Sequence, residues 1–235
     1  MLNPVTLITG TRKGIGKSLA EYYVNKGHDV IGCSRLSPDW TLPNYIHFNS
    51  DVTNEASVKK IFKYIKTNYG YLTNLINNAG VAAMNHSILT PTSTVEHILD
   101  TNILGTFLFC REAAKVMRKN NYGRIVNFST VAVPLKLEGE AIYAASKSAI
   151  IKLTQILAKE LSAYHITINA IGPTPVDTDL IKGVPIDKIN KILNKQPIHR
   201  MGNIKDIINV MDFFLDEQSD FITGQTIYLG GVQND

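Results

Sequence analysis

Cysteine is scarce in this chain: Cys33 and Cys110 are the only two in 235 residues, far apart and in no CxxC pair. That excludes a disulfide framework and supplies no zinc-ligand set, so each reads as a small buried hydrophobe. Long hydrophobic runs are missing too. Residues 103–110 and 125–135 are the longest apolar stretches, and polar residues break both well short of the roughly 18 needed to cross a bilayer. Met1, Leu2, Asn3 and Pro4 offer no basic n-region, apolar h-region or cleavage site, so a cytoplasmic location is the default expectation. Charge of one sign is also lacking: 24 Lys and Arg against 20 Asp and Glu leave +4, and the lysines are scattered. Nucleic-acid binders concentrate charge on one face, so neither nucleic acid nor membrane is expected as a partner.

What is present is an ordinary globular composition, 44% hydrophobic and 19% charged, with no biased tract to suggest disorder. Short β-rich runs at 5–9, 30–33, 45–48, 74–77, 124–128, 167–171 and 225–229 read as strands. Helix-length segments separate them. Ile15, Leu19, Tyr22 and Tyr23 recur at helical spacing, and a segment from Ile142 carries Ala145, Ala149, Leu153, Leu157 and Leu161. Strand–helix alternation predicts an α/β doubly wound, Rossmann-type parallel sheet of about seven strands with helices on both faces. No linker, charge block or repeat divides the chain, so one domain over residues 1–235 is expected. Residues 173–200 hold four of the nine prolines and little strand pattern, and read as a helical flap near the substrate.

Directly after the first strand come Thr9, Gly10, Thr11, Arg12, Lys13, Gly14, Ile15 and Gly16, followed at once by the amphipathic helix. Glycines let the backbone turn sharply and approach a pyrophosphate, and a helix N-terminus favours its charge. Gly16, Lys17 and Ser18 also match the tail of the GxxxxGK[ST] phosphate loop, but its first glycine position holds Thr11. No apolar run ending in a metal-binding Asp follows. A dinucleotide is therefore the better reading.

The glycine spacing resembles the TGxxxGxG of the short-chain dehydrogenase/reductase family. Further matches follow in family order: Asn77, Asn78, Ala79 and Gly80 after the fourth strand, then Asn102 within a helix, then Tyr143 to Lys147 as YAASK. Pro173, Val176 and Thr178 follow the sixth strand, and Thr223 and Gly224 precede the last. The resemblance covers nearly the whole chain. It implies the family's fold, a nicotinamide cofactor, and hydride transfer between that cofactor and a carbonyl or secondary alcohol.

At the adenosine end, the second strand closes on Ser34 and Arg35 with no acid until Asp39, where an NAD ribose normally finds one about 20 residues beyond the glycines. Arg35 can fork onto a 2′-phosphate, with Lys13 and Arg12 on the same side, so NADP(H) is preferred over NAD(H). Asp51, with Val52, resembles the family residues that meet the adenine. Asp51 also reads as a cap on the N-terminal side of the helix from Asn54.

Tyr143 and Lys147 lie at i, i+4 and share one helix face. A cation about 4 Å from a phenol at an effective dielectric of 20 is worth roughly 4 kcal/mol, which predicts a tyrosine shifted down towards working pH. By resemblance, Lys147 also holds the nicotinamide ribose and Asn102 a proton-relaying water. The family's substrate-binding hydroxyl falls thirteen residues before the tyrosine, on Thr130 in place of the usual Ser. Ser129 stands beside it, on the face that strand alternation turns away. The position of the family's usual Gly after Pro173 holds Thr174. Val176 and Thr178 still match the residues that meet the carboxamide.

Met84, His86, Val133, Leu135, Leu180 and Ile181 are expected around the substrate. Many relatives reduce 3-oxoacyl groups on acyl carrier protein, an acidic partner. The loops into the fifth and sixth strands carry Asn120, Asn121, Tyr122, Ala163 and Tyr164 in place of basic residues, which favours a small free carbonyl compound over that reading. A non-catalytic nucleotide sensor is the alternative from another class; Tyr143 and Lys147 argue against it. The helices of residues 91–119 and 142–164 are expected to pair with symmetry mates, as a tetramer by resemblance or as a dimer.

Overall fold

Seven runs rich in β-branched and apolar residues form strands: β1 (Val5–Thr9), β2 (Asp29–Ser34), β3 (Tyr45–Asn49), β4 (Asn74–Asn77), β5 (Gly123–Phe128), β6 (Ile166–Gly172) and β7 (Thr226–Tyr228). The structure is a computed structural model and describes residues 3–178, 181 and 184–233. All neighbouring strands pair in parallel, in the order β3-β2-β1-β4-β5-β6-β7. Every residue of β1, β4, β5 and β6 is buried, which is why these strands read as near-continuous apolar runs. The strands of the sequence reading are all found, each within two residues of its expected ends.

The connections are α1 (Gly14–Asn25), α2 (Glu55–Asn68), α3 (Thr92–Leu99), α4 (Gly105–Asn120), α5 (Ala132–Leu135), α6 (Ala141–Leu161), α7 (Ile186–Leu193) and α8 (Ile204–Leu215). One face of the sheet buries Val58, Phe62, Phe109, Val116 and Ala158 from α2, α4 and α6 against Leu7, Leu75 and Ile125. The other buries Leu19, Tyr23, Met211 and Phe214 from α1 and α8 against Ile8, Ile76 and Val126. Leu7 and Ile8 thus serve opposite layers, as the two-residue period of a strand requires.

Between α3 and α4 the chain does not run as one regular helix: Asp100–Leu104 form a π-turn, and Asn102 lies within it, fully buried. Such a turn inserts a residue and re-aims its side chains. The helix read from Ile142 begins at Ala141 and ends at Leu161, followed by a 3-10 turn at Ser162–Tyr164. The segment after β6 carries α7, while α8 packs on the sheet itself.

α6 is fixed by buried polar contacts. Asn77 Nδ2 donates to Asn127 Oδ1 at 2.8 Å, and Asn127 Nδ2 donates to Thr154 Oγ1 at 2.9 Å, so β4, β5 and α6 share one network. In a low-dielectric interior buried hydrogen bonds of this kind restrict the geometry, and they hold α6 against β4 and β5. Among the described residues no helix is long and apolar enough to cross a membrane.

Candidate active site

At the switch point between β1 and β4, the glycine turn is clamped from below. Asn78 Nδ2 donates to Thr9 O at 2.9 Å and to Gly10 O at 3.3 Å, and Ala79 N donates to Thr9 Oγ1 at 2.9 Å. Gly10 and Gly14 adopt φ of +76° and +61°, where a side chain is strained. Gly16 is needed for a different reason. A Cβ there would lie 2.3 Å from Gly10 O and 2.5 Å from Asn78 Nδ2, so Gly16 lets α1 dock on the turn and does not line the cleft, contrary to the sequence reading. Among the described residues no side chain caps the start of α1 and no acid sits in its first turn, which leaves amide donors facing the cleft.

The cleft above the turn has a volume of about 650 Å³. Gly10, Arg12, Lys13, Gly14 and Ile15 form one wall, Ser34 and Arg35 the rim at the end of β2, and Asp51, Val52, Asn78, Ala79, Gly80 and Thr178 the remainder. Arg35 is exposed and pairs with no carboxylate among the described residues. Asp51 does not cap α2. Asn54 does, accepting from Ser57 N, while Asp51 Oδ1 accepts from Thr53 N and Thr53 Oγ1, both at 2.9 Å.

Ser34 is held by a chain of contacts that sequence reasoning missed. His47 Nε2 lies 3.0 Å from Ser34 Oγ, Tyr45 Oη 2.7 Å from His47 Nδ1, and Thr11 Oγ1 2.8 Å from Tyr45 Oη. The signal was there: Tyr45 and His47 alternate onto one face of β3. Trp40 closes the same side, its Nε1 donating to Arg12 O at 3.0 Å.

A second pocket, of about 430 Å³, opens from the cleft through the shared residues Ile15, Asn78, Gly80, Val81 and Thr178. Tyr143, Lys147, Ser129, Thr130, Pro173 and Val176 line it. Pro173 and Val176 therefore stand at the inner pocket and not along the outer cleft. The hydroxyl hydrogen-bonded to the Tyr143 phenol is that of Thr130, which also accepts from Ala132 N at 3.2 Å. Ser129 Oγ instead donates to Lys147 O at 3.4 Å.

Burial pushes the Tyr143 phenol up to about 12, with the Thr130 hydroxyl opposing the rise. Burial likewise draws Lys147 down to about 8. The expected lowering of Tyr143 by Lys147 is thus not what the structure shows. Lys147 Nζ donates to Phe128 O at 2.8 Å, and the loss of solvent dominates at both groups. Asn102 is clamped as well: Oδ1 accepts from Val81 N at 2.9 Å, and Nδ2 donates to Val81 O at 3.0 Å and Ser146 Oγ at 2.9 Å. A Cβ on Gly80 would come within 3.2 Å of both Asn102 Oδ1 and Lys147 Nζ.

Of the residues expected around the substrate, Met84 and Ile181 line the pocket. His86 is exposed outside it, and Val133 and Leu135 turn away because residues 132–135 form α5; Leu135 packs against Val131 and Ile192. Leu180 lies outside the described residues. Thr174, where the family has Gly, donates to Gln196 Oε1 at 2.5 Å. Gln196 Nε2 in turn donates to Ile198 O and Arg200 O, so this departure ties the end of β6 to the segment after α7. Glu140, which the sequence reading did not single out, also lines the pocket.

Comparison with known proteins agrees with this geometry. A family model described as Enoyl-(Acyl carrier protein) reductase matches residues 10–232. The chain belongs to the short-chain dehydrogenase/reductase family. The 3-oxoacyl-[acyl-carrier-protein] reductase FabG of Escherichia coli (strain K12) is 28% identical over 233 residues, which span 97% of this chain and 96% of that protein. Among solved structures, ElxO with NADP bound has a TM-score of 0.88 and 30% identity, covering 98% of each chain. The ligand-free aldohexose dehydrogenase of Thermoplasma acidophilum has a TM-score of 0.89 and 28% identity, covering 98% of this chain and 94% of that one. Like other short-chain dehydrogenases/reductases, the protein is an oxidoreductase acting on CH–OH and C=O groups, which removes the nucleotide-sensor alternative.

In this short-chain dehydrogenase/reductase the depressed Lys147 has a signature in stability. Its folded pKa of about 8 lies below the ordinary lysine value of 10.5, so between these limits the unfolded chain binds more protons and stability rises with pH. Below about pH 8 the full penalty applies, on the order of 3 kcal/mol. Replacing Lys147 by Met should raise the urea-unfolding free energy at pH 7 and flatten its increase towards pH 10. Parallel pH profiles for the two proteins would contradict a buried, depressed lysine.

Proposed function

We propose that the protein is an NADP(H)-dependent oxidoreductase of a small free carbonyl compound or the corresponding secondary alcohol. The observation that carries this reading is the meeting of Tyr143, Thr130 and Lys147 in one largely apolar pocket that opens directly from the glycine-turn cleft.

The residues present fit a dinucleotide. The turn has positive-φ glycines where the backbone must come close, uncapped amides at the start of α1, and no carboxylate at the end of β2. Gly10, Arg12, Lys13, Gly14 and Ile15 would hold the pyrophosphate, with Gly16 supporting the turn from beneath. Ser34 and Arg35 would hold the 2′-phosphate, and Asp51, Val52, Asn78, Ala79 and Gly80 the adenosine and ribose portions. Pro173, Val176 and Thr178, with Lys147, would seat the nicotinamide end. When bound, the cofactor supplies or takes up the hydride.

The protein's own groups handle the proton. A phenol held near 12 is protonated at neutral pH and suits the role of acid, giving its proton to the oxygen that gains negative charge as a carbonyl is reduced. Thr130 would donate to the same oxygen, and the buried Lys147 charge would stabilise the phenolate left behind. Asn102 fixes Val81 beside Gly80 and, through Ser146, the helix that carries Tyr143; a water held there would relay the proton onward. The FabG relatives favour a second reading, reduction of a 3-oxoacyl group on acyl carrier protein. The loops before β5 and β6 enter the sheet at its amino-terminal edge, away from the pocket, so their residues do not distinguish the two; the carboxyl of Glu140 in the pocket wall favours a small polar compound over an acyl chain. Exposed Leu104, Phe107 and Ile156 on and beside α4 and α6 support assembly of the chain with copies of itself, as a tetramer or dimer.

Tyr143→Phe should lower turnover in NADPH-linked reduction of a carbonyl panel by 10² to 10⁴ while leaving NADPH affinity nearly intact. Thr130→Ala should lose roughly 2–4 kcal/mol of transition-state stabilisation and Ser129→Ala almost none. The reverse ranking would move the hydroxyl role to Ser129. For the cofactor, Arg35→Asp should weaken NADPH binding roughly tenfold or more and spare NADH, measured by fluorescence titration. Equal losses would refute the 2′-phosphate assignment. Light scattering at micromolar concentration should give at least a dimer, and a monomer would contradict the assembly.

A further inference from the structure

Beyond the groups that meet the reacting oxygen, the inner pocket is walled by apolar side chains such as Met84, Leu137, Val184 and Ile189. One carboxyl interrupts that wall. Glu140 immediately precedes α6, three residues before Tyr143, and is only partly exposed. Its carboxylate accepts no hydrogen bond and forms no ion pair among the described residues. The cation whose charge it feels is Lys188 on α7, but Lys188 Nζ lies against Met84 Sδ at 3.1 Å.

This arrangement is unfavourable for the protein alone. Burial pushes the Glu140 carboxyl up, and its charge adds to the rise of the Tyr143 phenol. Buried polar groups are almost always paired, and one that opens into a ligand pocket finds its partner on the ligand. An acyl or alkyl chain passing over Glu140 would strip water from the carboxylate and return no donor. A hydroxyl would return one.

We propose that Glu140 is a specificity-determining residue that accepts a hydrogen bond from a hydroxyl on the substrate close to its carbonyl carbon, so that the substrate is a hydroxylated carbonyl compound. The proposal rests on the reductase reading and narrows it. The geometry behind it is local: Glu140, at the N-cap of α6, and Tyr143, in its first turn, line the same pocket, so a molecule whose carbonyl oxygen meets the phenol places its neighbouring carbons beside the carboxylate. The same pairing disfavours a substrate with a carboxylate of its own at that position, by like-charge repulsion.

The test uses a matched pair of ketones, 1-hydroxy-2-butanone and 2-butanone, with acetoacetyl-N-acetylcysteamine as an acyl thioester probe. Wild-type protein should reduce the hydroxy ketone with the highest kcat/KM of the three. Glu140→Leu should lower kcat/KM for the hydroxy ketone about ten- to hundredfold, the range of a lost hydrogen bond to a charged group, while 2-butanone holds or improves. Glu140→Gln keeps an acceptor oxygen in the same shape and should lose only a few-fold, with its melting temperature reporting that the fold is retained. An equal loss on both ketones in either variant, or a wild-type preference for the thioester, would overturn the role of Glu140 and leave the reductase reading standing. If wild type reduces none of a broad panel of ketones and aldehydes with NADPH, the reductase reading fails and the proposal with it.

Discussion

The whole site depends on how closely three backbone segments approach at the point where the sheet reverses its winding. Gly16 at the start of α1, Gly10 in the turn and Asn78 after β4 lie so near one another that a methyl group on Gly16 would sit 2.3 Å from a carbonyl oxygen. Because α1 can dock this tightly, its first amides stand directly over the turn, and β1 and β4 diverge from a fixed origin. The cleft then opens beyond the carboxyl ends of the strands, where a doubly wound sheet leaves room. Asn78 makes the arrangement specific. Its amide closes on Thr9 O and Gly10 O, so the segment that floors the cleft is the one that continues to Gly80 and the Lys147 ammonium.

From that origin α6 is positioned by polar contacts more than by shape. Asn127 reaches Thr154 one way along α6, and Asn102 reaches Ser146 the other. Lys147, next to Ser146, is thereby held inside, facing Phe128 O. An ammonium there has lost most of its water and gained one carbonyl, which explains a value drawn down to about 8. The same burial raises Tyr143. Both shifts disfavour charge, which fits the proposed role of Tyr143 as an acid that stays protonated until negative charge develops on the substrate oxygen.

Much of this was legible in the sequence because the relevant signals are periodic or local. Buried parallel strands read as apolar runs, the glycine turn sits where strand gives way to helix, and Tyr143 and Lys147 share a face by i, i+4 spacing. What the sequence did not reveal depends on which way a short segment folds. Residues 132–135 form a helical turn, so Leu135 packs against Ile192 and Val133 leaves the pocket. Glu140 enters it because α6 begins one residue later. The sign of the Tyr143 shift was misjudged for a similar reason. Spacing gives the distance between two charges, whereas the cost of burying them depends on everything packed around them.

The chain of contacts behind Ser34 shows how much a set of distances can decide without any ligand. Ser34 has one hydroxyl proton, and it goes to Leu36 O at 2.7 Å, so Ser34 Oγ must accept from His47 Nε2. With burial holding the imidazole below its ordinary pKa, His47 is neutral and its Nδ1 is an acceptor. Tyr45 must then donate to Nδ1, which leaves the Tyr45 oxygen to accept from Thr11. Only one order of donors satisfies all four contacts. The glycine turn and the rim at Ser34, already joined where Gly10 N and Thr11 N donate to Cys33 O, are therefore locked to each other a second time through the edge strand. The placing of turn and rim against each other is a property of the folded chain itself, and less ordering remains to oppose the binding of a nucleotide.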